Sequence, residues 1–260
     1  MTVNIPFSLL DSLHMIAVHA GQKVMEVYNS DFAVEMKGDN SPVTRADKEA
    51  EALIRKAIAQ EITADFPFVG EEAFSDGEEP ELGNTPFWLV DPLDGTKEFI
   101  NRSGEFTVNI ALIDAGRPVV GVVHTPANGH VYMGSPLGAS LDTNDGNGPK
   151  RIKCRILPTQ GLTALVSKSH KSPETDTYLE QFNILKEVSA GSSLKFCRIA
   201  EGRADIYPRL GRTMEWDTAA GHAVLRAAGG TVTDLNGGEL LYGKPGFENP
   251  HFVAKGPEMA

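Results

Sequence analysis

The stretch Phe87-Trp88-Leu89-Val90-Asp91-Pro92-Leu93-Asp94-Gly95-Thr96 decides how this chain is read. Four apolar residues in a row read as a buried strand. Pro92 is expected to end it, because proline cannot donate to a sheet ladder. Asp91 and Asp94 then fall at the carboxyl end of the strand, where α/β folds gather their ligands. Two carboxylates that close repel each other unless a proton or a cation lies between them. Gly95 lets the backbone approach a ligand. Thr96 offers a hydroxyl where a helix can begin, a position suited to an anion. Together these residues read as a hard-cation site beside a phosphate.

Outward from that string, the composition sets bounds. A chain of 260 residues allows one large domain or two packed closely together. At 41% hydrophobic and 23% charged it reads as an ordinary globular protein. No apolar run reaches the length of a membrane span. Met1 to Leu10 lacks the order of a signal peptide, so a cytoplasmic protein is expected. Two cysteines, Cys154 and Cys197, are too few for a disulfide framework. The net charge of −11 argues against a nucleic-acid polymer as partner. It would also repel a phosphate, unless bound cations supply the largest local charges.

Periodicity predicts the elements around the string. Leu9 to Tyr28 carries a helical apolar stripe, and Phe32 to Met36 alternates as a strand. Lys37 to Pro42 reads as a loop. Thr44 and Asp47 form a capping pattern for a helix reaching about Ala64. Phe66 to Gly70 reads as a short strand, and Asp76 to Pro86 as an acidic surface loop. After the string, three runs separated by Ala115-Gly116 and Asn128-Gly129 predict hairpins: Phe106 to Ile113, Pro118 to His124 and His130 to Gly134. Leu141 to Pro149 reads as a polar loop. Strands and helices then alternate, with a helix expected over Trp216 to Ala228 and strands at Thr231 to Asp234 and Phe252 to Ala254. The chain therefore divides into residues 1–150 and 151–260, packed as one unit, with the boundary between Leu141 and Leu162.

Three acidic sites share one explanation: Glu71-Glu72 after Gly70, the pair Asp91 and Asp94, and Asp217 after Trp216. Each lies where a strand or loop meets another element, which suits convergence on one cleft. All the donors are oxygens, and the seven histidines and two cysteines form no zinc pattern. Such donors favour magnesium, calcium or manganese. Four carboxylates contribute about −4, so two or three divalent ions leave about 0 to +2, enough to hold a phosphate dianion. Such ions can generate hydroxide and clamp a leaving oxygen.

Asp91-Pro-Leu-Asp94-Gly-Thr96, with Gly70-Glu71-Glu72 and Trp216-Asp217-Thr-Ala-Ala-Gly221, resembles the lithium-sensitive, magnesium-dependent phosphatases of the inositol monophosphatase superfamily. More narrowly, Leu89 to Ile100, Gly104 to Leu112, Gly191 to Cys197 and Tyr207-Pro-Arg209 resemble its bacterial 3′(2′),5′-bisphosphate nucleotidases of the CysQ type. The likeness runs from about Leu9 to Phe252. It implies an α/β (α+β) fold, a layered αβαβα sandwich of the sugar-phosphatase type. It implies hydrolysis of adenosine 3′,5′-bisphosphate to AMP and phosphate, a step tied to sulfur metabolism. Glu71, Asp91, the Leu93 carbonyl, Asp94 and Asp217 would bind two or three Mg2+, with Li+ inhibitory. Asp47 and Thr96 would position and deprotonate the attacking water. Glu71, Leu93, Asp94, Gly95, Thr96 and Asp217 would face the substrate, and His170, Ser192, Lys195 and Arg209 would hold the nucleotide. A homodimer and a peripheral association with the inner membrane are compatible with the resemblance. Two rival readings are an inositol monophosphatase or broad sugar phosphatase, and a non-catalytic magnesium or nucleotide sensor. Lys97-Glu98 after Gly-Thr, and Ala73 after Gly-Glu-Glu, depart from the inositol enzymes and weigh against the first rival.

Overall fold

In the computed structural model, which describes residues 7–36, 42–167 and 172–258, seven α-helices, one short 3₁₀ helix and fourteen strands are found among the described residues. In chain order they are α1 (Phe7–Tyr28), β1 (Val34–Met36), β2 (Pro42–Thr44), α2 (Arg45–Glu61), β3 (Phe68–Gly70), α3 (Glu71–Ser75), β4 (Phe87–Asp94) and α4 (Thr96–Ile100). Then come β5 (Thr107–Asp114), β6 (Arg117–Thr125), β7 (His130–Ser135), β8 (Gly138–Asp142), β9 (Lys150–Ile152), β10 (Leu162–Ser167) and α5 (Pro173–Leu179). The chain closes with β11 (Ile184–Ala190), α6 (Leu194–Ala200), β12 (Ile206–Arg209), α7 (Ala219–Ala227), β13 (Thr231–Asp234) and β14 (Phe252–Lys255).

Two main sheets result. One has seven strands in the order β3-β4-β5-β6-β7-β8-β9, and the other five, in the order β11-β10-β12-β14-β13. In the larger sheet β4 to β9 form an antiparallel meander, and β3 joins parallel to β4.

The alternation of side chains along a strand sorts residues into layers. In β4, Trp88 and Val90 turn to one face and pack with Leu13, Ala20 and Val24 of α1 and Ala50 and Ile54 of α2. Phe87 and Leu89 turn to the other face, where they join Phe196 of α6, Val224 of α7, and Tyr207 and Phe252 of the smaller sheet. A third cluster, Ala164, Val166, Ile206 and Val253 with Leu179, seats α5 on the far face of the smaller sheet. Each fully buried large aliphatic side chain contributes about 1.5–3 kcal/mol, so three such seams bind the layers firmly. The layers run helix, sheet, helix, sheet, helix.

The middle seam is unusually close. Gly121 and Gly134 are register partners on β6 and β7. A Cβ at Gly121 would lie 2.4 Å from the Ala220 carbonyl oxygen, and one at Gly134 would lie 2.5 Å from the Val224 Cα. The two glycines together form the seat on which α7 rests.

Four local expectations are corrected. Pro92 does not end its strand: β4 runs on to Asp94, with a register shift between Asp91 and Asp94. Leu141 and Asp142 belong to β8, so the polar loop expected over Leu141 to Pro149 begins only after them, and β9 follows it directly at Lys150. The helix begins at Ala219 rather than Trp216, with Thr218 as its cap position. The helix expected to reach Ala64 stops at Glu61. The expected loop from Lys37 lies outside the described residues, apart from Pro42 in β2.

Candidate active site

The register shift in β4 builds the site. Asp91 faces Asn109 and Asp94 faces Thr107, so three steps along β4 match two along β5. Residues three apart on a regular strand point to opposite faces. One extra residue in the strand turns both carboxylates to the same side, and the bulge is where proline is tolerated. Leu93 N–H closes the bulge on Asp91 Oδ1 at 3.0 Å. Gly95 follows with φ of 92°, a left-handed turn that caps α4 and delivers Thr96 to its first turn.

Glu71 opens α3 immediately after β3, whose Gly70 lies beside Val90. It thus emerges at the same end of the sheet as Asp91. Asp217 arrives from the other half of the chain, in the turn before α7. Its Oδ2 accepts Met214 N–H at 2.8 Å, which fixes the turn. Carboxylate oxygens of Glu71, Asp91 and Asp217 lie within 4.8 Å of one another, an arrangement that could hold a metal ion. Asp94 stands beside this trio and lines the same cavity. Its Oδ2 accepts Ser193 N–H at 2.6 Å and Asn109 Nδ2 at 3.4 Å.

Without a cation these acids resist ionisation. Burial, then the charges of Glu71, Asp94 and Asp217, push the Asp91 carboxyl well above its usual range. Burial, then Asp94 and Glu71, do the same to Asp217. Burial pushes Asp94 to about 6, although Lys195 and the Ser193 N–H pull the other way. Oxygen-only donors that repel each other this strongly fit a hard divalent ion. Such a cluster is a functional-site signature rather than a stabilising one.

Asp47 is buried at the start of α2. Its Oδ2 accepts the Thr44 N–H and hydroxyl, both at 2.8 Å, completing the capping box. Its Oδ1 faces the Thr96 hydroxyl at 3.4 Å, and that hydroxyl also lies 3.3 Å from the Leu93 carbonyl. Asp47 thus reaches the cavity through Thr96, which lines it.

A cationic wall lines the same cavity as the acids. Lys195 is 4% exposed. Its Nζ donates to the carbonyls of Ser192 at 2.8 Å and Ala190 at 3.2 Å, and lies over the Tyr207 ring. Burial lowers its pKa to about 8, against the opposing pull of Asp94. Arg209 is 9% exposed; among the described residues it donates once, to the Arg212 carbonyl at 3.0 Å, and its Nε has no partner. Ser192 sits at φ of 46°, and its buried Oγ has no partner among the described residues either. All three residues line the cavity. Buried polar atoms without partners are rare in a native fold, and here they border a space a ligand can enter. His170 lies outside the described residues.

Three contributing residues escaped the sequence reading. Glu51, buried in α2, accepts Glu72 N–H and Ala73 N–H, both at 2.8 Å, and so braces the turn that carries Glu71. The signal was an acid one helical turn after Asp47, beside the apolar stripe of Ala50 and Ile54. Asn109 was visible as a lone amide inside an apolar strand, which is informative when buried. Ser193 gave no signal apart from its neighbour Ser192.

The family model described as "Inositol monophosphatase family" matches residues 9–256. The chain is 43% identical over 247 residues to the 3′(2′),5′-bisphosphate nucleotidase CysQ of Escherichia coli, covering 94% of this chain and 98% of that protein. It is 40% identical over 256 residues to the protein of the same name from Buchnera aphidicola, covering 96% and 95%. Its fold matches the crystal structure of CysQ from Bacteroides thetaiotaomicron with a TM-score of 0.80 at 36% identity, covering 97% and 99% of the two chains. It also matches the inositol monophosphatase structure from Anabaena (Nostoc), with a TM-score of 0.76 at 25% identity, covering 96% and 91%.

Proposed function

This chain belongs to the inositol monophosphatase family, and from that membership we propose that it is a 3′(2′),5′-bisphosphate nucleotidase. The reaction would be adenosine 3′,5′-bisphosphate plus water giving AMP and inorganic phosphate. The relatives at 40% to 43% identity, each named a 3′(2′),5′-bisphosphate nucleotidase, support this substrate, and a place in sulfur metabolism is part of the same proposal. The observation that carries the reading is the pairing of an acidic floor with a cationic wall in one cavity. A substrate with two phosphates answers both: one at the floor, the other at Lys195 and Arg209. The unpartnered Arg209 Nε and Ser192 Oγ support the same division, since an anion would satisfy both.

Glu71, Asp91 and Asp217, with Asp94 and the Leu93 carbonyl beside them, are the groups that would hold the metal, proposed as two or three Mg2+ with Li+ inhibitory. When bound, Mg2+ supplies charge neutralisation and a more acidic water. The protein's own part follows from its hydrogen bonds. Thr96 Oγ1 can donate its proton to Asp47 Oδ1, which leaves its lone pairs to accept a proton of the attacking water. The Thr44 donors hold Asp47 in place for that relay. Backbone N–H groups at Gly95 and Thr96 would face the scissile phosphate, the left-handed Gly95 bringing the chain close. Lys195 and Arg209 would orient the nucleotide for in-line attack.

Among the described residues no helix is long and apolar enough to cross a membrane. A small, water-soluble substrate supports a cytoplasmic site of action. A homodimer and a peripheral contact with the inner membrane are parts of the proposal that sedimentation and vesicle flotation test. The deciding assay compares kcat/KM in Mg2+ on adenosine 3′,5′-bisphosphate and on inositol 1-phosphate. The nucleotide is expected to win by at least about tenfold; the reverse order would make the cationic wall irrelevant, and release of phosphate from neither would leave a non-catalytic sensor.

A further inference from the structure

Ser193 stands where the two halves of the chain meet. It is 1% exposed and sits between Ser192 and Lys195 of the wall. Its main-chain N–H donates to Asp94 Oδ2 at 2.6 Å. Its hydroxyl donates to the Asp217 carbonyl oxygen at 2.7 Å. That hydroxyl in turn accepts Asn109 Nδ2 at 3.0 Å, and the same amide group reaches Asp94 Oδ2 at 3.4 Å. The directions are forced. The serine proton is committed to a carbonyl, so the oxygen is left to accept. Asn109 must therefore turn its NH2 toward both Ser193 and the Asp94 carboxylate. The result is one oriented chain of donors from β5, through the segment before α6, to the turn before α7.

We propose that Ser193 is a positioning residue that locks Asp94 and the Asp217 turn into one frame with the wall segment Ala190–Lys195. The proposal rests on the reading of the floor as a metal site. Asp94 comes from the larger sheet and Asp217 from the other half, and no covalent geometry fixes their separation. A single residue bonded to both, through its main-chain N–H to Asp94 and its hydroxyl to the Asp217 carbonyl, makes their spacing insensitive to movement of either element. It also ties the floor to the segment that carries Ser192 and Lys195, so that floor and wall keep their distance when a nucleotide binds. Groups that orient metal ligands from behind typically change affinity or activity by about 10- to 100-fold when removed.

The test uses the full chain with Mg2+ alone as the probe, then with adenosine 3′,5′-bisphosphate. In Ser193→Ala the main-chain bond to Asp94 survives while both hydroxyl bonds are lost. The Mg2+ concentration that gives half of the thermal stabilisation is expected to rise about tenfold, and kcat to fall about tenfold, with KM for the nucleotide within threefold. Asn109→Ala breaks the same chain from the other strand, and serves if Ser193→Ala folds poorly. The double variant is expected to be no worse than threefold beyond the weaker single variant, because both cut one chain. An unchanged Mg2+ midpoint with unchanged kcat overturns the proposal. So does a raised KM with intact kcat, which would make Ser193 a substrate contact. Additive losses in the double variant would also refute it. If the parent hydrolysed inositol 1-phosphate better than the nucleotide, the substrate reading would fail, while the Mg2+ titrations would still decide the role of Ser193.

Discussion

The floor and the wall of the cavity carry opposite charge, yet they differ in what they lack. On the floor, Leu93, Ser193 and Met214 give backbone hydrogens to Asp91, Asp94 and Asp217, so hydrogen bonding is well served. Charge is the unmet need there: burial first, and then the acids' own repulsion, raises the pKa of Asp91 and Asp217. On the wall the reverse holds. Among the described residues Arg209 is held by one carbonyl, and its Nε and the Ser192 hydroxyl have no partner. The floor is finished as geometry and waits for a cation. The wall is finished as charge and waits for hydrogen-bond acceptors. A cavity with both kinds of need fits a ligand that brings a metal to one side and an anion to the other.

The sharpest way to break this contrast is at the floor. Asp94→Asn is expected to cut kcat by about 10³-fold or more, measured as phosphate release in Mg2+. Turnover like that of the parent would remove Asp94 from any metal role.

Stability offers a second test, with the sign set by linkage. The folded state holds Asp94 near pH 6 against an ordinary 3.8, with Asp91 and Asp217 raised further, so the fold binds these protons more tightly than the unfolded chain does. The stability they contribute is full below about pH 4 and is lost as pH rises through 6 and beyond. Asp91→Asn removes one of these charges. In metal-free buffer at pH 8 it is expected to melt a few degrees above the parent, a shift of about 1 kcal/mol. The gap should close below pH 4, and Mg2+ should reverse it. A parent that melts higher than the variant at pH 8 without metal would mean the floor is not electrostatically strained.

The wall gives the smaller and more selective effect. Arg209→Ala is expected to raise KM for adenosine 3′,5′-bisphosphate by about 10- to 100-fold while kcat/KM on inositol 1-phosphate stays within about threefold. Equal losses on both substrates would place Arg209 at the scissile phosphate instead.

Much of this was legible in the chain because the chemistry is local. Asp91, Asp94, Gly95 and Thr96 lie within six consecutive residues, and the apolar run before them reads as a strand from its own composition. The layers were legible too, since β4 to β7 alternate or run apolar and are separated by turn residues. What escaped depended on partners distant in sequence. Pro92 reads as a stop until Asn109 and Thr107 show that the partner strand accommodates an extra residue. β8 and β9 are short, half-exposed strands at a sheet edge, and their polar sequence resembles a loop because few of their side chains are buried. Asp217 looks like part of a helix until its carboxylate is seen closing a turn on Met214. Glu51 braces residues 21 and 22 positions away, and Ser193 reaches Asp94 across 99, separations that no local pattern encodes.

The glycine pair under α7 limits how the molecule can work. With Ala220 and Val224 pressed against Gly121 and Gly134, the helix that follows Asp217 is set into the sheet that carries Asp91 and Asp94. Floor acids from both ends of the polypeptide are therefore mounted on a single rigid block. A hinge that opened the cleft between the halves would have to lift Ala220 and Val224 off Gly121 and Gly134. A fragment cut near residue 150 would expose a seat shaped for a helix it no longer has.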